Sequence, residues 1–330
     1  MKAAWYEQNG SARDVLTLGE LKKPVAAPGQ VLVRIHATGL NPVDWKMRFS
    51  APLPLGITRI VPNQDGAGVI EAVGKGVPTS RLGERVWIYE ALHSTGAGCA
   101  AEYVVVPNRN AVLLPEGISF ETGASLGVPA LTAHRCVFAD GPVKGQSILV
   151  TGGAGSVGAL AIQFAKHGGA SVVTTISNVP QAKVARAAGA DVIVDRNDKD
   201  QVARINMLAG GVGERNIDRV IDVAFGTNLD ITMRVLKENG VTATYSSDAE
   251  PEPTLPFWPL IRLNATIHFV LKTTMSIEAH DLAIEATSAG LRAGWLHATI
   301  AARFTFDQIV EAYESAESGK NIGKVVVLVP

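Results

Sequence analysis

Cysteine is almost missing from this chain: Cys99 and Cys136 are the whole supply in 330 residues. They form no CxxC pair, and two thiols cannot build a four-thiolate zinc site. A disulfide framework is equally out of reach, so a reducing compartment is the default. No apolar run reaches the ~18 residues that a membrane span needs, and the N-terminal MKAAWYEQNG lacks the apolar centre of a signal peptide. Charge of either sign is not in excess. The 30 Lys and Arg stand against 31 Asp and Glu, a formal net charge of −1. With no basic surplus to neutralise a phosphate backbone, nucleic acid is not an expected partner. These absences predict a soluble cytoplasmic protein with neither membrane nor nucleic acid as its main partner.

What is present is an ordinary globular balance, 47% hydrophobic and 18% charged, in a chain long enough for two domains. The first ~125 residues are rich in Pro and Gly and carry short apolar runs between turn signals, a β-rich pattern. VLVRIHATGL, GAGVIEAVG, ERVWIYEA and AEYVVVP are the clearest of these runs. Near Glu121 the character changes. Helical patterns then alternate with the strands SILVTG, SVVTTIS, DVIVD, RVIDVA and VTATYS, which implies βαβ units and a parallel sheet. The chain ends on a helical stretch, about Phe306 to Glu317, and the strand KVVVLVP. That strand resembles those of the first domain, so one domain is expected to be discontinuous, with the other inserted into it.

The most informative stretch is SILVTGGAGSVGALAIQFAKHGG, Ser147 to Gly169. Ile148, Leu149 and Val150 read as a buried strand. Val157, Leu160, Ala161, Phe164 and Ala165 recur on one helical face, and Gly168 and Gly169 close the helix. Between strand and helix, Gly153 to Gly158 read GxGxxG. In this context the pattern is a dinucleotide-binding turn, with backbone N–H groups at a helix N-terminus presented to a pyrophosphate.

An NAD site places Asp or Glu at the end of the second strand, ~20 residues beyond the glycines, to accept from the ribose 2′-OH. Here Ser177 and Asn178 stand in that place. A carboxylate that would repel a 2′-phosphate is therefore missing. Arg196, after the next strand, offers a bidentate fork to such a phosphate, with Lys183 a weaker candidate. NADPH is favoured over NADH, although Asp195 beside the arginine works against a phosphate.

Beyond the glycine turn, GLNPVDWKMR, DGAGVIEAVGKGV, GERVWIYEA, GASLGVPALTAHR, AGADVIVD and GWLHATIAARFTFDQIVEAYESAESGKNIGKVVVL occur in order across nearly the whole chain. In these the chain is similar to the zeta-crystallin and quinone oxidoreductase branch of the zinc-free medium-chain dehydrogenases/reductases. The resemblance implies an α/β protein in two parts. One is a GroES-like β-rich catalytic domain, residues 1–125 and 272–330. The other is a Rossmann domain with a doubly wound parallel sheet, residues 126–271. It implies an NADPH-dependent, zinc-independent reductase of quinones, or of enones and enals. A non-catalytic binding protein of the zeta-crystallin kind is the alternative of another class. A homodimer is implied too, through the strand ATIHFVL.

Site residues follow from the same resemblance. Zinc relatives hold their metal at positions that here read Asn41, Gln64 and Val128, and two amides with an apolar side chain cannot replace thiolates and imidazole. Asn41 falls near the nicotinamide ribose and the substrate, and Thr132 at a ribose or nicotinamide contact. Ala154, Gly155, Ser156 and Val157 form the pyrophosphate turn, and Ser177 and Arg196 the 2′-phosphate pocket. Asn228, Tyr245, Ser246 and Ser247 approach the cofactor. Phe269, Val270 and Leu271 meet the nicotinamide by backbone groups, and Asn321 closes over it. Several quinone reductases carry tyrosines where this chain has Lys46 and Pro52. Lys46 is then a candidate proton source, and stacking on a planar quinone is weakened. His93 lies in a loop near substrate entry, His268 narrows the pocket, and His134 and Cys136 are read as packing residues.

Overall fold

The computed structural model describes residues 1–50, 56–92, 96–208 and 215–330. The chain divides into two compact units, Met1–Val128 with Ala298–Pro330, and Pro129–His297.

In the first unit, the run VLVRIHATG becomes the strand Gln30–Gly39, which turns Val31, Val33, Ile35 and Ala37 into the core. The strand is central to a seven-stranded sheet. The order is Ile300–Thr305, Lys324–Leu328, Gln30–Gly39, Asp65–Val73, Arg85–Ile88 and Ala111–Leu113, and Tyr103–Pro107 also pairs with Gln30–Gly39. Lys324–Leu328 lies antiparallel to Gln30–Gly39, with Val326 opposite Gly39 and Leu328 opposite Ala37. This pairing returns the end of the chain to the domain of its beginning, as the sequence pattern implied. The helix Ile309–Glu317 buries Ile309, Ala312 and Tyr313, a helical spacing that seats it on the same core.

The second unit holds six parallel strands in the order Val192–Asp195, Ser171–Ile176, Ser147–Val150, Ile217–Asp222, Leu236–Thr244 and Thr266–Phe269. The strand SILV is buried along its whole length, as parallel strands covered on both faces are. The strand order reverses direction between Ser147–Val150 and Ile217–Asp222. That is the topological switch point, where the carboxyl ends of the strands leave a crevice for ligands.

The boundary of the inserted unit lies further along than the expected 271. The helix Ile277–Ala293, capped by Ser276 and ended by left-handed Gly294, belongs to the second unit. The residues after it explain why. Trp295 stacks on His167 at 4.0 Å and meets Phe164 edge-on at 5.7 Å. The Gln163 amide accepts from the His297 N–H at 2.8 Å and donates to its carbonyl at 3.0 Å. An aromatic seam and a paired amide hold this segment to the Rossmann helix. Among the described residues, no helix is long and apolar enough to cross a membrane.

Candidate functional site

Gly153, Gly155 and Gly158 divide into two jobs. A Cβ on Gly153 would lie 2.0 Å from the Thr174 hydroxyl, and one on Gly158 would lie 2.4 Å from the Gly152 carbonyl. These two positions let strand, turn and helix close on one another. Gly155 faces open space apart from the Gly152 carbonyl at 3.4 Å. It is the N-cap of the helix Ser156–His167 and makes no side-chain capping bond. The first N–H groups of that helix therefore have neither an intrahelical acceptor nor a cap. Together with the helix dipole they suit an anion, and no side chain lies within 4 Å of where a Gly155 Cβ would stand.

Ser177 and Arg196 follow neighbouring strands. Asp195 is in register with Ile176, and the Arg196 N–H donates to the Ile176 carbonyl at 2.8 Å. Arg196 and Ser177 thus follow adjacent strand ends, with Arg196 exposed and Ser177 half-buried. Asn178 caps the next helix by accepting from the Gln181 N–H. The Gln181 side chain accepts from the Ser177 N–H at 2.7 Å, so that donor is already used. Asp195 accepts from the Asn197 backbone and side chain at 2.9 and 3.0 Å. Lys183 is exposed on the helix Val179–Ala187.

At the switch point stands a residue that sequence patterns alone do not single out. Asp222 is fully buried, and its Oδ1 accepts from Thr151 Oγ1 (2.8 Å), the Ala224 N–H (3.0 Å) and Asn228 Nδ2 (2.7 Å). Its Oδ2 is buried without a partner among the described residues. Asp222 thereby joins the start of the glycine turn to the first turn of the helix Phe225–Val235, and it holds the Asn228 amide that was expected near the cofactor. Tyr245, Ser246 and Ser247 close the same edge. The Tyr245 N–H donates to the Asp222 carbonyl, the Phe225 N–H to the Ser246 carbonyl, and the Gly226 N–H to Ser247 Oγ at 2.9 Å.

Tyr245 to Ser247 and Phe269 to Leu271 line a mainly apolar cavity of about 450 Å³, with Phe225 and Leu255. Phe225 and Phe269 meet edge-on at 5.4 Å. The Val270 N–H is taken by the Thr244 carbonyl, and the Leu271 carbonyl accepts from Thr274. The Val270 N–H, one of the backbone groups expected to meet the nicotinamide, is therefore already used within the sheet. A larger groove of about 650 Å³, between helices Gly127–Phe138 and Ile277–Ala293, contains none of the expected site residues. Thr132 is buried on the first of these helices. Cys136 and His134 are buried there too, where burial pushes the imidazole down to about 4. His268, expected to narrow the pocket, instead meets Asp140 at 2.7 Å, and Arg219 meets the same carboxylate at 2.5 Å.

The first unit contains a buried polar cluster around Asn41. The Asn41 amide donates to Asp65 Oδ2 at 2.8 Å and accepts from Lys324 Nζ, which also lies 3.3 Å from Asp65. The Val128 N–H donates to both Asp65 oxygens, at 2.9 and 3.0 Å. Asp44 accepts from the N–H groups of Asn41 (2.8 Å) and Gln64 (3.1 Å). Burial, followed by the neighbouring Asp65 charge, pushes the Asp44 carboxyl up to about 7. Burial pushes Lys324 below its ordinary value, with Asp65 and Asp44 acting against that shift. Lys324 also carries no signal in the sequence, because its partner Asn41 is 283 positions away.

Two expected residues stand apart from this cluster. Lys46 is exposed on the helix Pro42–Ser50 that Asn41 precedes. The Asn321 amide donates to the Ser315 carbonyl at 2.7 Å and to its hydroxyl at 3.0 Å, tying it to the end of helix Ile309–Glu317. Pro52 and His93 lie outside the described residues.

Zinc does not fit the ligand positions of its relatives in this chain. The Asn41 carbonyl is committed to an ammonium, Val128 offers only its backbone, and the nearby lysine charge would repel a dication. Among the described residues, no three His, Cys, Asp or Glu are grouped to hold a metal.

Comparison with known proteins agrees with this architecture. Residues 27–116 match the alcohol dehydrogenase GroES-like domain, and residues 188–327 match the family described as zinc-binding dehydrogenase. A quinone oxidoreductase of Homo sapiens is 30% identical over 330 residues, covering 99% of this chain and 98% of that protein. The 2-methylene-furan-3-one reductase of Solanum lycopersicum is 31% identical over 349 residues, covering 99% of this chain and 79% of the relative. A mycobacterial protein solved in complex with NADPH superimposes with a TM-score of 0.86 at 26% identity, covering 99% of this chain and 100% of that one. With both units in place, the glycine turn at the switch point and the full-length match, the chain is an oxidoreductase and belongs to the quinone oxidoreductase family of the medium-chain dehydrogenases/reductases.

Proposed function

We propose that the chain reduces quinones with NADPH and without zinc. The observation that carries the cofactor choice is the pair of strand ends at Ser177 and Arg196. No carboxylate follows the second strand, and an exposed guanidinium follows the third. The human relative named quinone oxidoreductase and the mycobacterial structure holding NADPH support this reading. When bound, the nicotinamide supplies the hydride. The chain's own part is to hold the pyrophosphate on the N–H groups after Gly155 and the 2′-phosphate on Arg196. It also offers an apolar wall from Phe225, Leu255 and Phe269 to the ring end. Asn41 is the amide that the resemblance assigns to the nicotinamide ribose and substrate. Hydride transfer without a Lewis acid favours electron-poor acceptors over simple alcohols, with water, a ribose hydroxyl or Lys46 as the candidate proton sources.

The runner-up is reduction of activated alkenes. The tomato relative is named for a conjugated enone, and the positions of the missing tyrosines weaken the case for a dedicated quinone pocket. One assay separates the readings: NADPH oxidation with 1,4-benzoquinone, 9,10-phenanthrenequinone and a simple enone, compared by kcat/KM. Quinone reduction over a broad range, with a high KM for small quinones, is the expected result. A large advantage for the enone would transfer the function to alkenes, and no oxidation with any acceptor would sink both. Elemental analysis of the purified protein should find far less than one zinc per chain, and chelators should leave turnover intact.

The same reading includes a homodimer. Thr266–Phe269 is an edge strand, and Phe257, Trp258, Ile261, Phe269 and Leu271 nearby are all more than half exposed. An edge this apolar favours pairing with a second copy over exposure to water.

A further inference from the structure

Asn41 is 2% exposed, Lys324 2% and Asp65 fully buried, and together they form a closed ring of three polar contacts. The ring assigns the two ends of the amide. Its oxygen faces the ammonium and its nitrogen faces the carboxylate, an orientation that the reverse flip would turn into two repulsive contacts. Among the described residues, one N–H and one lone pair of Asn41 remain for a further partner. Both contacts are charge-assisted, so they hold the amide harder than neutral hydrogen bonds would.

The surrounding backbone is shaped to this ring. A Cβ on Gly39 would lie 2.7 Å from Lys324 Cε and 2.0 Å from the Ala124 carbonyl. A Cβ on Gly127 would lie 2.2 Å from Asp65 Oδ1. Both N–H bonds from Val128 fix the Asp65 carboxylate from behind. Asp44 holds the Asn41 backbone from its other side. Burying an ammonium against a carboxylate is weak as a source of stability, since hydrophobic replacements of such pairs are often neutral. The expense of the arrangement therefore points to a task for the amide it orients.

We propose that Lys324, braced by Asp65, is a positioning residue that sets the orientation and polarity of the Asn41 amide for turnover. The proposal rests on the reading that Asn41 acts at the reacting end. Lys324 does not touch the substrate; it acts through Asn41. The ammonium draws electron density from the Asn41 carbonyl and makes the remaining amide N–H a stronger donor.

The test uses four variants of the full chain: Lys324→Met, Asn41→Ala, the double Lys324→Met/Asn41→Ala, and the charge-free double Lys324→Met/Asp65→Asn. The last keeps an acceptor for Val128 while removing both buried charges, so it guards against simple misfolding. Turnover is measured with NADPH and 9,10-phenanthrenequinone, well below each thermal midpoint. Lys324→Met and Asn41→Ala should each lower kcat tenfold or more, with the Kd for NADPH changed less than threefold. Their combination should be no slower than either alone. The charge-free double should regain the thermal midpoint and remain slow. Independently of turnover, the Asn41 side-chain amide signals of the ¹⁵N-labelled chain without cofactor, identified by their loss in Asn41→Ala, should shift and exchange faster in Lys324→Met.

Wild-type kcat in the charge-free double, or losses that multiply in Lys324→Met/Asn41→Ala, would overturn the positioning role and leave the Asn41 reading standing. Wild-type kcat in Asn41→Ala would overturn both. If no acceptor is reduced by the unaltered chain, the functional reading fails, and unmoved Asn41 amide signals then overturn the positioning role separately.

Discussion

Replacing the three glycines of the turn by alanine, one at a time, separates folding from binding within six residues. Gly158→Ala places a methyl 2.4 Å from a backbone carbonyl and 2.9 Å from the Gly153 Cα, neither of which can rotate away. Overpacking of this kind costs about 1–3 kcal/mol. At roughly 2–4 °C per kcal/mol for a unit of this size, the thermal midpoint should fall by about 2–12 °C. Gly153→Ala meets the Thr174 hydroxyl at 2.0 Å, and that hydroxyl is itself hydrogen-bonded to the Val150 carbonyl. It should destabilise by a similar amount. Gly155→Ala is different. Its φ of −73° and ψ of 164° suit alanine, and only one atom lies within 3.4 Å of the new methyl. The smaller entropy of the unfolded chain then offsets the poorer N-cap, so stability should stay within about 1 kcal/mol. The methyl would instead stand where the pyrophosphate approaches. A clash worth about 1.5–3 kcal/mol should weaken NADPH roughly 10- to 100-fold in titration calorimetry. If Gly155→Ala binds NADPH like the unaltered chain while Gly158→Ala loses it at full stability, the assignment of these glycines is wrong.

Arg196→Ala should weaken NADPH by about tenfold or more, the worth of one charge-assisted phosphate contact, and leave NADH nearly unchanged; equal losses for both cofactors would remove Arg196 from the pocket. Asp44 titrates at about 7 in the folded chain against an ordinary 3.8, so the folded state holds the extra proton between those values. Its contribution to stability is full below about pH 4 and is lost as pH rises through 7, with a ceiling of about 4 kcal/mol. Asp44→Asn starts less stable at pH 5, having lost one of two acceptors, and its urea midpoint should converge on that of the unaltered chain by pH 8; a constant gap would mean that Asp44 is ionised throughout. Sedimentation at micromolar concentration should show a dimer, and Phe269→Asp at the exposed strand edge should shift it toward monomer; a monomeric unaltered chain would count against the edge pairing.

Patterns of short period are legible in the amino-acid sequence itself. Alternation in VLVRIHATG, the buried run SILV and the helical face of Val157, Leu160, Ala161 and Phe164 each report burial that repeats within a few residues, so they announce strand and helix directly. The glycine turn is legible for a related reason: its requirement for missing side chains is written into consecutive positions. The return of the C-terminal strand to the first domain can be read from composition alone. The helix Ile277–Ala293 cannot be assigned in that way, because its place depends on Trp295 meeting His167 and Phe164, contacts with no local signature. His268 carries no sign of Asp140, 128 positions away. Asp222 looks like one more polar strand end until three donors are seen converging on a single oxygen. Asn41 stands out as an amide, but its partners Asp65 and Lys324 lie 24 and 283 positions away. Sequence periodicity determined which segments form strands and helices, and consecutive glycines determined which turn is left without side chains. Only the tertiary structure decided which buried charges face one another, because electrostatic partnership depends on distance in space, and the chain folds most of that distance away.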